Sequence, residues 1–334
     1  MTTAVIALPW IVALVALALA FDFLNGLHDA ANSIATVVST RLLSPVQAVA
    51  FAAVFNFAAY WVFGLKVAET IGNGIIDKDI VDPAVIFGAL IGAMFWNLVT
   101  WWRGIPSSSS HALIGGLIGA GVTKAGFDGV VWPGVVKTAS AIILSPTLGL
   151  LLAMVLMLFT SWLFMRATAR FAEGAFKKLH LISSAAYSLG HGANDAQKTM
   201  GIITVLLYSQ GLLGGEFHIP GWVVLSCYAA IALGTLSGGW KIIQTMGTGI
   251  TKLSHHQGFS ASAGGSVMLF AATAYGIPVS TTHTITGCVV GVGAARRASA
   301  VRWGVAGRIV VAWLITIPAS AAVGSLFYLL TRLF

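Results

Sequence analysis

Two short segments of this chain place a run of hydroxyl side chains one or two residues after a proline. Gly104–His111 is Gly-Ile-Pro-Ser-Ser-Ser-Ser-His, and Gly276–His283 is Gly-Ile-Pro-Val-Ser-Thr-Thr-His. Proline suits a first helical turn, where its missing N–H would be unbonded anyway. Hydroxyls beside the free N–H groups of a helix start form an anion site that needs no fixed cation. The predicted anion ligands are Ser107, Ser108, Ser109, Ser110, Ser280, Thr281 and Thr282. The alternative is that these hydroxyls only cap helices and ease packing.

A second matched pair of segments carries a carboxylate in apolar surroundings. Asn-Gly-Leu-His-Asp29-Ala corresponds to His-Gly-Ala-Asn-Asp195-Ala. A carboxylate within a membrane is costly and by default functional. It would repel a bare anion, so we predict that Asp29 and Asp195 bind a coupling cation, H⁺ or Na⁺, that accompanies the anion. For Asp195 the alternative is an ion pair with Lys198 three residues later on one helix face.

Polar neighbours of these segments complete the predicted site. We assign Asn32, Asn194 and Gln197 to substrate binding. His28, His111 and His283 are assigned to the coupling ion, with orientation or proton relay as the role of the last two. The alternative for a lone intramembrane histidine is a hydrogen-bonded packing residue. No histidine pair in an apolar run has the close helical spacing of a transition-metal site, so none is predicted. His191 also lies in a matched segment, and the other four histidines are predicted to lie in loops: His180, His218, His255 and His256.

The composition requires a membrane environment. Of 334 residues, 57% are hydrophobic and 8% are charged, against roughly a quarter charged in ordinary soluble domains. A soluble domain would need a polar shell that so few charged residues cannot supply. The net charge of +8 therefore does not indicate a nucleic-acid-binding protein. Cys227 and Cys288 are too few for a disulfide scaffold and are expected to be buried thiols.

Apolar runs of about 20 residues can cross a bilayer, which places the membrane segments. The N-terminal run carries no preceding positive charge, so we expect a retained helix rather than a cleaved signal. Residues 131–145 are shorter and are expected to be half of a broken span. Residues 104–122 and 276–293 are too polar to face lipid and are predicted to be re-entrant hairpins. The candidate spans are residues 4–24, 45–65, 83–102, 146–165, 202–213 with the preceding flank, 220–240 and 309–330.

Three segments recur in the same order in the two halves, which indicates a duplication. The carboxylate motif comes first and the hydroxyl motif last in each half. Between them lies a third pair, Lys66–Ile75 and Lys241–Ile250, which is expected to be structural. The separation between the two copies is nearly the same for all three pairs. The alternative for the threonines of the third pair, Thr70 and Thr245, is contact with the coupling ion.

The basic segment near the middle of the chain orients the halves. Arg166, Arg170, Lys177 and Lys178 predict a short cytoplasmic loop, while both termini are expected outside. Each half then makes an odd number of crossings, so the repeats are inverted. We predict an all-α polytopic membrane protein of ten to twelve segments with broken helices. Residues 1–165 form the first repeat, 166–182 a cytoplasmic linker and 183–334 the second repeat. Inverted repeats with interrupted segments are typical of secondary transporters.

These motifs resemble those of the inorganic phosphate transporter family, low-affinity phosphate/cation symporters. The resemblance lies in Gly192–Lys198, in Gly26–Ser33 and in residues 276–283, and it extends from about residue 20 to 310. It implies import of inorganic phosphate with H⁺, which we favour, or Na⁺, without another cofactor, and often a homodimer in the plasma membrane. In some bacterial relatives phosphate travels as a neutral complex with a divalent metal. This chain departs from the family at His28, where Asn is frequent, and in its short central segment.

Two other classes of function remain open at this point. A passive anion channel could be built from the same duplicated half-helices, although such a pore would not be expected to contain Asp29 and Asp195. An intramembrane hydrolase would need a nucleophile–base contact, which adjacent residues such as Ser110 and His111 do not form on a helix. We therefore predict a transporter rather than an enzyme.

Overall fold

The computed structural model describes residues 7–77 and 79–333, and within these residues the chain is helical and contains no β-strand. The predicted all-α class is confirmed. The first half contains α1 (Leu8–Ser39), α2 (Pro45–Ala58), α3 (Lys66–Gly74), α4 (Pro83–Arg103), α5 (Ser109–Ala125) and α6 (Trp132–Leu163). The second contains α7 (Ala169–Ser209), α8 (Gly221–Ser237), α9 (Trp240–Gln244), α10 (His255–Ala274), α11 (Thr281–Arg296) and α12 (Trp303–Leu330).

The order of elements in the first half recurs in the second. A long helix comes first, followed by a bent pair, a helical hairpin and a final long helix. Even a minor feature recurs: a single 3₁₀ turn precedes each final helix, at Phe127–Gly129 and at Ala298–Ala300. This order is what a duplicated sequence should produce.

Four helices in the described residues are long and apolar enough to cross a membrane, namely α1, α4, α6 and α12. Residues 4–6 of the predicted first span lie outside the described residues. Two further candidates are bent pairs. Helices α2 and α3 meet at 85°, and α8 meets α9 with its π-helical extension, Thr245–Gly249, at 68°. The predicted spans 45–65 and 220–240 each cover the first helix of a bent pair and end at its break. At the second break Gly238 has φ +67°, a left-handed value that ends the helix.

Two sequence predictions about helix boundaries are wrong. Residues 131–145 are not half of a broken span, because α6 continues through Pro146 to Leu163. Proline is tolerated in such helices because neighbouring helices compensate for the lost backbone bond. The basic segment is largely helical rather than a loop: Thr168 caps α7, which begins at Ala169. An i, i+4 ion pair between Glu173 and Lys177, at 3.4 Å, favours this helix.

Three of the histidines expected in loops lie in helices. His180 is fully buried in α7. His255 and His256 form the first turn of α10, where Ser254 is the cap. The His256 ring lies 2.7 Å from the Thr160 hydroxyl of α6, so it is tied to a neighbouring helix rather than solvated. A polar sequence after a serine cap indicates a helix start as readily as a loop.

The final helix of each half packs against the hairpin of the other half. Helix α12 contacts α4 and α5, while α6 contacts α10 and α11. A side chain at Gly119 of α5 would collide with the backbone of Ala321, and one at Gly291 of α11 with that of Leu150. Glycine thus permits close helix packing at equivalent positions.

Threonines of the third repeat pair, Lys66–Ile75 and Lys241–Ile250, hydrogen-bond to the turn of the other half's hairpin. Gly104, directly after α4, and Gly276, two residues after α10, have φ values of +66° and +62°. The Thr245 hydroxyl donates to the Gly104 carbonyl at 2.9 Å, and the Thr70 hydroxyl donates to the Gly276 carbonyl at 2.8 Å. Each half therefore fixes the start of the other half's hydroxyl segment.

Candidate binding site between the two halves

The two hydroxyl segments form equivalent helix starts. Ser108 caps α5 by accepting from the His111 N–H at 3.3 Å, and Ser280 caps α11 by accepting from the His283 N–H at 3.1 Å. The first N–H groups of both helices have no intrahelical partner. Both starts are buried, so their donors lie in a low-dielectric interior, where attraction for an anion is strong.

Asp29 of α1 receives hydroxyls from both hairpins. Ser109 donates to Oδ2 at 2.7 Å, and Thr282 donates to Oδ1 at 3.4 Å. The Nδ1 atom of His28 lies 2.7 Å from Oδ1. Ser109 also contacts Asn25 Oδ1 at 2.6 Å. The first-half carboxylate is thus attached to the hydroxyl segments of both halves.

Asp195 of α7 has an equivalent position with a different neighbour. Thr281, the counterpart of Ser109, donates to Oδ2 at 2.9 Å, and His191 Nε2 lies 3.2 Å from the same oxygen. The Lys198 ammonium donates to Oδ1 at 2.5 Å. The ion pair considered from the sequence is therefore formed, but Lys198 also contacts the hairpins.

The two carboxylates converge. Ligand atoms of Asp29, His191 and Asp195 all lie within 4.8 Å of one another, and all three side chains are buried. Two like charges at this separation repel by about 3–4 kcal/mol at an effective dielectric constant of about 20. The Lys198 ammonium offsets part of this repulsion, so the cluster as a whole favours one further cation.

The remaining predicted hydroxyl and amide ligands lie around this pair. Asn32 donates to Thr281 at 3.2 Å and to Thr282 at 2.9 Å. Ser107 donates to Thr100 at 2.9 Å, and its hydroxyl lies 3.4 Å from His28 Nε2. These contacts join α1 to the hydroxyl segments of both halves and tie Ser107 to α4.

Within the described residues, Asn194 and Gln197 bond to backbone groups and, for Asn194, to the Thr273 hydroxyl of α10, and not to the two hydroxyl segments. Asn194 donates to the Ile277 carbonyl at 3.3 Å and accepts from the Val279 N–H at 3.2 Å, which holds the second turn. Gln197 accepts from the N–H groups of Val67 and Ala68 at 3.0 and 3.3 Å. It therefore caps the first turn of α3.

The matched histidines meet each other. The rings of His111 and His283 lie 4.6 Å apart, and His283 stacks on Trp313 at 3.7 Å. His111 Nδ1 and His283 Nε2 make no hydrogen bond within the described residues. Their side chains thus touch at the interface of the two halves, beside the helix starts.

Several site residues were not assigned from the sequence. His191 and the wider contacts of Lys198 depend on tertiary structure. Asp22 of α1 is fully buried beside Asn25 and Thr199, and neither carboxylate oxygen makes a hydrogen bond of ordinary geometry within the described residues. A signal for Asp22 existed, because it is a lone acid within an apolar run.

The hydroxyl residues of both segments, together with Asp29 and Asp195, are each at most 4% exposed. In this conformation a ligand could reach these groups only if the surrounding helices moved. A buried polar site between two equivalent helix hairpins, within a bundle of membrane-length helices, defines a multi-pass membrane transport protein.

Comparison with known proteins identifies the family. Residues 25–324 match the model of the phosphate transporter family. A probable low-affinity inorganic phosphate transporter of Rhizobium meliloti (strain 1021) is 64% identical over 325 residues, which are 97% of each chain. Its counterpart in Bacillus subtilis (strain 168) is 44% identical over 95% of each chain. The chain therefore belongs to the phosphate transporter family.

A solved structure supports the same assignment. The protein described as the sodium-dependent phosphate transporter aligns with a TM-score of 0.87 and 27% sequence identity. The alignment covers 98% of this chain and 100% of that chain. The overall fold is thus that of a phosphate transporter.

Proposed function

We propose that this protein imports inorganic phosphate together with a cation as a secondary active symporter. The observation that carries the proposal is the convergence of hydroxyls from both hairpins on Asp29 and Asp195. Family membership supplies phosphate as the substrate class.

A cation is needed because the site already contains more negative than positive fixed charge. Asp29 has no fixed cation comparable to Lys198 among the described contacts. A phosphate dianion beside it would add several kcal/mol of repulsion in a buried site. Binding of H⁺ or Na⁺ at Asp29 would remove this cost and link phosphate entry to the cation gradient.

We favour H⁺ as the coupling cation, with Na⁺ as the alternative. His28 stands beside Asp29 where the family's first repeat often has Asn, and a histidine–carboxylate pair is suited to proton binding. The structural relative is a sodium-dependent phosphate transporter, which supports Na⁺ instead. His111 and His283 are the remaining residues that we assign to the coupling cation, together with Asp195.

Phosphate would be held by the two helix starts. The proposed ligands are the hydroxyls of Ser107 to Ser110 and of Ser280 to Thr282, together with Asn32, Asn194 and Gln197. In the closed state several of these hydroxyls donate to the carboxylates. Cation binding would free them to donate to phosphate, which provides a physical basis for coupling.

The proposed arrangement in the membrane follows from the repeated order of elements. Residues 1–165 and 183–334 would be inverted repeats, linked through residues 166–182 on the cytoplasmic side, with both termini outside. Ten to twelve membrane segments, a plasma-membrane location and a homodimer complete this proposal. No nucleic-acid partner is proposed.

A metal–phosphate complex is a second form of substrate that one observation favours. Asp29, His191 and Asp195 are placed closely enough to hold a metal ion. A neutral complex would also avoid the repulsion between phosphate and the carboxylates. Dependence of uptake on added Mg²⁺ would distinguish this form from free phosphate.

The function is tested by uptake of ³²P-phosphate into proteoliposomes under separately imposed H⁺ and Na⁺ gradients. We expect concentrative uptake driven by one of them, and stimulation by unlabelled internal phosphate. Downhill uptake without this counterflow would instead indicate an anion channel. Absence of phosphate uptake under every gradient would contradict the proposal.

A further inference from the structure

Lys198 occupies a fully formed cation site. Its ammonium donates to Asp195 Oδ1 at 2.5 Å, to the Ser110 hydroxyl at 2.5 Å and to the Val279 carbonyl at 2.7 Å. The side chain is 1% exposed. An ammonium has three donors, and all three are used. The acceptors come from α7 and from both hairpins, so this is more than a local ion pair.

The repeat supplies counterparts of these acceptors in the first half, where no lysine follows Asp29 at the equivalent position. When the two halves are aligned on their repeated motifs, the counterparts of Asp195, Ser110 and Val279 are Asp29, Thr282 and Ser107. The counterpart of Lys198 is Asn32. The Thr282 hydroxyl lies 3.4 Å from Asp29, as this correspondence requires.

An unused oxygen marks the place where a cation would be held in the first half. Asn32 Oδ1 is buried and makes no hydrogen bond within residues 7–77 and 79–333. Its amide nitrogen donates to Thr281 and Thr282, so the side chain is held in place. Thr282 in turn donates to Asp29, so this carbonyl oxygen belongs to one hydrogen-bonded group with hydroxyls and a carboxylate, the kind of ligands that coordinate a coupling cation.

We propose that Lys198 is a tethered cation that permanently occupies one of two equivalent cation sites, leaving the site at Asp29 and Asn32 for the exchangeable cation. The inference rests on the proposed symport. It makes the two carboxylates unequal: Asp195 is neutralised in every state, whereas Asp29 is neutralised only when the cation binds. The chain would therefore carry one cation fewer per cycle than a version with Asn at position 198.

The decisive variant is Lys198→Asn, which makes the second site resemble the first. The carboxylate, hydroxyl and carbonyl oxygens that now surround the ammonium would become available to Na⁺. We expect the ratio of ²²Na⁺ to ³²P-phosphate taken up together to rise by one relative to the parent. Lys198→Arg retains the charge, and Lys178→Asn is a matched change at an exposed position of the same helix; neither should raise the ratio.

A binding measurement keeps the inference testable if Lys198→Asn does not transport. Equilibrium binding of ²²Na⁺ to the purified, folded full-length variant should show one additional site per chain. The reciprocal variant Asn32→Lys should make phosphate uptake insensitive to both imposed gradients, because a second ammonium would occupy the Asp29 site.

The outcomes separate this inference from the proposed function. An unchanged uptake ratio and unchanged ²²Na⁺ binding in folded Lys198→Asn would overturn the tethered-cation inference. Retained gradient dependence in folded Asn32→Lys would also contradict it. Failure of the parent protein to take up phosphate would instead remove the proposed function, while the ²²Na⁺ binding comparison would still decide the role of Lys198.

Discussion

At the scale of residues, the aspartate that recurs in both repeats has different neighbours in the two halves. Asp29 is contacted by a histidine and two hydroxyls, whereas Asp195 has a lysine ammonium as a further partner. Because the duplicated motifs are not identical in sequence, the two sites need not have identical roles. This difference can be measured separately in transport and in stability.

Asp29→Asn and Asp195→Asn should each abolish gradient-driven phosphate uptake. The two variants should differ in stability, because only Asp195→Asn leaves a buried ammonium without its carboxylate, a loss of about 3–5 kcal/mol. Thermal unfolding of the purified variants measures this difference. Near-normal concentrative uptake by both variants would remove the coupling role of the carboxylates.

Ser109→Ala and Thr281→Ala should weaken phosphate binding by similar factors. A hydrogen bond to a charged group contributes roughly 1.5–3 kcal/mol, so the expected loss is about 10- to 100-fold. Isothermal titration with phosphate provides the measurement. Ser161→Ala and Thr147→Ala are matched controls, because these exposed hydroxyls donate to carbonyls of their own helix, outside the hydroxyl segments. Equal affinity in the site variants and controls would show that the hairpins are scaffolding.

The sequence predicted the site's components better than their contacts. The repeated motifs paired Ser109 with Thr281 and Asp29 with Asp195, and the structure brings these residues together. The pair of Lys198 with Asp195 was considered from the sequence, but its contacts with Ser110 and Val279 could not be predicted, because these residues lie in hairpins that are distant in sequence. Gln197 was assigned to substrate, yet in this structure its side chain caps α3.

At the scale of elements, the final helix of each half packs closely on the hairpin of the other half. The sequence predicted most long helices because apolar runs mark them directly. It did not predict the continuous α6, since proline usually ends a helix, nor the start of α7 in a charged segment. Both errors arise where neighbouring helices or local ion pairs outweigh the intrinsic preference of the sequence.

Gly119→Ala and Gly291→Ala should each destabilise the protein by about 1–3 kcal/mol, because the added methyl group collides with backbone of the opposite half. Gly174→Ala is the control: its position in α7 is open, and replacing glycine there should stabilise by about 0.5–1 kcal/mol. Thermal unfolding of the three variants checks the opposite signs. A common shift in all three would contradict the packing argument.

At the scale of the whole molecule, the two halves build one site. Each final helix packs on the other half's hairpin, and each hairpin supplies hydroxyls to both carboxylate-bearing helices. Movement of one half relative to the other would therefore alter the phosphate and cation ligands together. This shared construction is the physical basis of the proposed coupling.

The most direct test of this coupling is reciprocal binding to the purified protein. Phosphate affinity is measured while Na⁺ is varied at fixed pH and while pH is varied without Na⁺, and cation affinity is then measured with and without phosphate. Linkage requires each ligand to raise the affinity of the other by the same factor. We predict such a reciprocal gain for one cation, and its loss in Asp29→Asn. Phosphate affinity that is independent of both cations, in a folded protein that binds phosphate, would contradict the account.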